Sequence, residues 1–143
     1  MRAEHIVVGV DGSAASRRAL AWAVAHAART GATVEAVHAW ALPDLGADPL
    51  SRALAGGDLE AEAGRELALV VDGTDTSGLA APVARTLVAG DTVPALVTAA
   101  KGADLLVVGA RGLNGVQQGG VGTVAMGVVR AGPCPVVVVP PAG

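Results

Sequence analysis

Five short apolar runs recur along the chain: Ile6–Val10, Val34–Ala39, Val83–Val88, Asp104–Val108 and Val136–Val139. Each interval between them is longer than about a dozen residues, which is the length a crossover between parallel strands requires and far more than a hairpin needs. The first run, Ile-Val-Val-Gly-Val, is β-branched and has no polar alternation, as expected of a strand covered on both faces. Helical patterns fill the intervals. Alternating strand and helix over the whole length predicts an α/β fold, a parallel sheet with helices on both faces.

Local signals place the helices. Ser13 is suited to cap a helix over Ala14–Arg29, with Leu20, Val24, Ala27 and Ala28 on one face and Gly31 as the terminator. Trp40 to Gly57 reads as a loop, because it holds Pro43, Pro49 and three glycines. Leu59–Val71 reads as the second helix, with Glu60, Glu62 and Glu66 facing water. Asp91 is placed to cap a helix over Thr92–Lys101, where Pro94 is tolerated in the first turn. A short helix follows over Thr123–Arg130, and Pro133, Pro135 and Pro140 punctuate the last strand.

Composition narrows the function classes. The 143 residues suffice for one domain, taken as 1–143, burying roughly two thirds of the surface of its unfolded form. The chain has no Phe or Tyr and only two Trp, so the core is aliphatic and stacking platforms for nucleic-acid bases are missing. A net charge of -3 supplies no basic stripe for phosphate tracking, which argues against nucleic acid as a partner. Cys134 stands alone, without a disulfide partner or Cys/His metal spacing. Ile6–Val10 begins almost at once after Met1, with no signal-peptide pattern, and no apolar run approaches the roughly 20 residues of a membrane span. The expectation is a soluble, cytoplasmic protein with no membrane partner.

The stretch Gly109 to Gly127 follows the fourth strand and is crowded with glycine. In an open parallel sheet, ligands sit beyond the carboxyl ends of the strands where the strand order reverses. If the first and fourth strands are neighbours, Asp11 and Gly109 face one crevice. Glycines admit close backbone approach, and successive N–H groups make a nest for anions. Gly122-Thr123 then opens a helix whose first N–H groups and dipole favour phosphate. The stretch is no Walker A loop, since the only lysine, Lys101, lies in the preceding helix. Gly120–Ala125 matches the dinucleotide fingerprint G-x-G-x-x-A, but it does not follow a strand directly and too little chain remains for a second βαβ half.

Gly109-Ala-Arg-Gly112, nine residues and then Gly122-Thr123 resembles the motif of nucleotide-binding members of the universal stress protein family. Ile6–Ser13, Val37–Trp40 and Cys134–Val139 extend that resemblance across the chain. It implies a Rossmann-like five-stranded parallel sheet in order 3-2-1-4-5, sandwiched by four helices, with ATP between strands one and four. Carried over by position, Val10 and Asp11 contact the nucleoside and Ala39 faces adenine. Gly109, Ala110, Arg111 and Gly112 wrap ribose and phosphates, while Gly122, Thr123 and Val124 bind phosphate. Two departures stand out: Gln117–Gly120 in the insert, and Ala125-Met126-Gly127 at the helix start.

The function so implied is an ATP-dependent stress-response regulator, without catalytic residues or a resident metal site. Asp11 reaching Mg2+ leaves weak ATP hydrolysis or self-phosphorylation open. The alternatives are a cyclic-AMP-binding member of the same fold and a nucleotide-independent interaction module, the latter opposed by Gly109, Gly112 and Gly122. The resemblance also implies a homodimer through Val136–Val139, which would cover a bare edge strand. His38 is read as structural, His5 and His26 as surface residues, and Cys134 as a small buried hydrophobe.

Overall fold

The computed structural model describes residues 3–41, 49–110 and 122–140. Five strands, β1 (His5–Gly9), β2 (Thr33–Trp40), β3 (Ala84–Ala89), β4 (Leu105–Gly109) and β5 (Val136–Val139), form one sheet. Four helices connect them: α1 (Ala14–Thr30), α2 (Pro49–Asp72), α3 (Thr92–Ala99) and α4 (Thr123–Ala131). The strand order is β3-β2-β1-β4-β5, as the family resemblance implies, and every neighbouring pair is parallel, as the alternation of runs predicts.

Side chains of β1 leave the sheet alternately and found two separate cores. Ile6, Val8 and Val10 pack with Leu20 and Val24 of α1 and with Leu67 and Val70 of α2. Val7 joins Leu106 and Val108 of β4 on the opposite face, against Leu96 of α3 and Val124 and Val128 of α4. Ile6, Val7 and Val8 are completely buried, so the central strand tolerates no polar position.

Ser13 accepts the Ser16 N–H at 3.1 Å and caps α1, and Gly31 ends the helix in the left-handed conformation at φ +77°. The buried face of α1 runs through Ser16, Ala19, Leu20, Ala23, Val24 and Ala27, whereas Ala28 lies on the exposed side. Where Trp40–Gly57 was expected to be loop, α2 already begins at Pro49. Proline with its fixed φ suits a first helical position, so Pro49 initiates here instead of breaking. Gly56 and Gly57 sit inside the helix at a cost of about 1 kcal/mol each relative to alanine. Asp91 occupies the N-cap position of α3 but makes no side-chain capping bond, contrary to its expected role.

Gly109 is where α1 meets the sheet. A Cβ there would lie 2.8 Å from the carbonyl carbon, the oxygen and the Cβ of Ala15. Backbone cannot retreat as a flexible side chain does. Gly109→Ala is therefore expected to destabilise the fold by about 1–3 kcal/mol, read as a lower urea midpoint at unchanged slope.

Candidate functional site

The strand order reverses between β1 and β4, and the carboxyl ends of these strands carry the two loops that sequence reasoning brings together. The first loop is tightly bonded. Asp11 Oδ1 accepts the Ser13 N–H at 2.8 Å, and Ser16 Oγ receives the Asp11 N–H at 3.2 Å while donating to the Ser13 carbonyl at 3.1 Å. Gly12 turns the chain at φ +86°. Val10 is buried and donates its N–H to the Val37 carbonyl at 2.9 Å. Ser16, completely buried, locks this turn and was not singled out from the sequence.

The second loop starts at Ala110, whose N–H reaches the Val139 carbonyl at 2.8 Å. The Ala110 carbonyl in turn accepts the Gly122 N–H at 2.5 Å. Two of the main-chain amides expected to face phosphate are thus spent on the protein itself. Gly122 caps α4, and Thr123 is its first helical residue. A helix start leaves the N–H groups of its first turn without intrahelical partners, so Thr123 and Val124 are the donors α4 offers. Arg111, Gly112 and the insert with Gln117–Gly120 lie outside the described residues.

A cavity of about 290 Å³ opens beside α4. Ala39 and Ala41 at the end of β2 form one side, the segment Gly90–Pro94 another, and Thr123 and Val124 a third. Of the expected site residues, Ala39, Thr123 and Val124 share this cavity. Val10, Asp11, Gly109, Ala110 and Gly122 do not line it. Ala41 and Gly90–Pro94 were missed from the sequence, although Gly90-Asp91 ends a strand just as Asp11-Gly12 does.

Gly90 explains how that wall is built. Its φ of +134° is a region essentially reserved for glycine, and its N–H donates to the Trp40 carbonyl at 2.8 Å, tying the β3–α3 turn to the end of β2. Gly127 sets the spacing of the other two walls. A Cβ on it would meet Val93 Cγ2 at 2.9 Å, so the bare residue lets α4 lie close on α3. Walls of Ala, Val and Pro with hydroxyls at Thr92 and Thr123 suit a flat, mostly apolar group joined to an anionic one.

His38 braces the same region from below the sheet. Its ring is buried, with Nδ1 donating to the Val10 carbonyl at 2.8 Å and Nε2 3.0 Å from Glu66 Oε2. Glu66 is exposed, as expected, and its half-exposed carboxylate also reaches this ring, linking α2 to the end of β1. His5, expected on the surface, is half-buried and bridges Thr33 Oγ1 and Glu35 Oε1, both at 3.0 Å. His26 stacks on Trp22 with ring centres 5.0 Å apart. Burial, and then the charge of Asp104, push the Cys134 thiol up from its usual range, which keeps it protonated and a poor nucleophile.

The family model described as Universal stress protein family matches residues 2–140. Universal stress protein Rv1996 of Mycobacterium tuberculosis is 33% identical over 139 residues, covering 93% of this chain and 43% of that protein. The chain therefore spans about half the length of the curated relatives it matches. Among solved structures, universal stress protein UspA from Lactobacillus plantarum superposes with a TM-score of 0.75 at 26% identity, covering 97% of this chain and 99% of that one. A universal stress protein in complex with cAMP gives 0.65 at 28% identity, covering 99% and 100%.

Removing the His38 ring leaves the Val10 carbonyl without this donor and detaches Glu66. His38→Ala is expected to lower unfolding stability by about 1–3 kcal/mol, measured by chemical denaturation.

Proposed function

The chain belongs to the universal stress protein family, and from that premise we propose that it is a cytoplasmic, adenine-nucleotide-binding regulator whose ligand is ATP. The cavity at the carboxyl edge of the sheet carries this reading, because it joins apolar walls to the amino end of a helix. Ala39, Ala41 and Val93 offer surface for the base. Thr123 and Val124 offer a hydroxyl and first-turn N–H groups for phosphate, where the dipole of α4 adds to the attraction.

By the same proposal Val10 and Asp11 border the nucleoside, and Gly109 and Ala110 the ribose and phosphates, from beside the cavity lining; Arg111 and Gly112, outside the described residues, join them on the motif alone. Gly122 belongs to the same proposal through the motif, although its N–H already serves the Ala110 carbonyl. Occupancy alters the neighbourhood of α4, and a partner reads the change. No residue is assigned a catalytic role.

Cyclic AMP is the second reading, favoured by the relative solved with cAMP. Competition between ATP and cyclic AMP in calorimetry separates the two. Failure of the intact protein to bind either nucleotide removes both.

A homodimer through β5 belongs to the same proposal. Pro135 and Val139 accept bonds from β4, so the intervening Val136 and Val138 turn their main-chain groups to the open edge. Val138→Pro deletes one outward N–H and spares the bonds to β4. Light scattering is expected to show monomers for this variant and dimers for the parent.

For the ligand, Thr123→Glu places a carboxylate where phosphate is proposed to sit, at a helix position where acidic residues stabilise. ATP affinity is expected to fall at least about tenfold while the melting temperature holds or rises. Unchanged affinity in calorimetry would remove the phosphate assignment.

A further inference from the structure

Asp91 is the one charged side chain among the described residues lining the cavity. It holds the N-cap position of α3 with extended backbone angles, φ -70° and ψ 146°, yet no capping bond engages its carboxylate. Gly90, locked to Trp40, delivers it there. Asp11, the carboxylate that sequence reasoning assigns to the nucleoside, spends Oδ1 on the Ser13 N–H and does not line the cavity. The acceptor facing the ligand therefore comes from a different strand end.

The two helix starts at this cavity differ in sign. At α4 the first turn is Thr123, Val124 and Ala125, each with an N–H and none acidic. At α3 the corresponding residues are Thr92, Val93 and Pro94, and Pro94 has no N–H to give. Asp91 adds a negative charge that the α3 dipole stabilises in place. An anionic group is accepted at α4 and repelled near Asp91, so a bound nucleotide lies with phosphate toward Thr123 and its other end toward Asp91. The walls near Asp91 are Ala41, Val93 and Pro94, which suit the faces of a base more than a sugar.

Resting on the nucleotide reading above, we infer that Asp91 is a specificity-determining residue whose carboxylate accepts a hydrogen bond from the exocyclic amino group of the adenine. Asp91 is exposed, yet a hydrogen bond to its charged acceptor still discriminates against a base that lacks the donor.

The test compares ATP with purine riboside 5′-triphosphate, which differs only in lacking the 6-amino group. Calorimetry is run on the parent, on Asp91→Ala and on Asp91→Ser, the serine retaining capping ability at the start of α3. The parent is expected to prefer ATP by about tenfold or more, and both variants to bind the two ligands within about twofold. A preference that survives in both variants, or a parent without preference, overturns the inference while leaving the nucleotide site standing. A parent that binds neither ligand overturns both. Circular dichroism of the two variants confirms that α3 is retained.

Discussion

The structure depends on close approach of helices to a sheet whose side chains are small. With no Phe or Tyr, the core is filled by Val, Leu, Ile and Ala, and density is reached by bringing backbones together. Glycine makes that possible at three contacts. Gly9 leaves room for Leu96, whose Cδ1 would lie 2.8 Å from an added Cβ; Gly109 admits the first turn of α1; Gly127 admits Val93. Each contact lies close to the carboxyl edge of the sheet or to a helix start beside it. Packing and site geometry are therefore set by the same residues.

That coupling changes what the glycines mean. Read along the sequence, Gly109 and Gly127 look like a ligand-facing loop residue and a weak spot in a helix. In three dimensions Gly109 seats α1, and Gly127 brings the start of α4 against α3 so that Thr123, Val124 and Val93 border one cavity. The loss of helix propensity at Gly127, about 1 kcal/mol, accompanies a contact no larger residue permits.

Parallel pairing, the capping of α1 and the aliphatic core were legible because each follows from a local pattern: alternating β-branched runs and helices, Ser13 before an apolar periodicity, Gly31 after it; the strand order came from the family resemblance. Ala39, Thr123 and Val124 were assigned to a common site by the family resemblance, and the structure brings those three together. The start of α2 at Pro49 was hidden, since proline signals a break or a beginning with equal force until its neighbours are known. Gly90–Pro94 escaped notice for a different reason. Its role arises from β3 lying beside β2, which gathers strand ends far apart in sequence, and no spacing rule within one segment carries that information. The same holds for the His38–Glu66 link.

One chain of hydrogen bonds then gives the site a mechanical connection. Gly122, immediately before Thr123, donates to the Ala110 carbonyl, and Ala110 donates to the carbonyl of Val139 at the end of β5. From the start of α4 to the last residue of the edge strand there is no intervening side chain, only main chain bonded to main chain. Gly122, Ala110 and Val139 are all buried, so breaking either bond would strand an amide or a carbonyl away from water at a cost of about 1–3 kcal/mol. The start of α4 is thus held to the end of β5 by main chain alone.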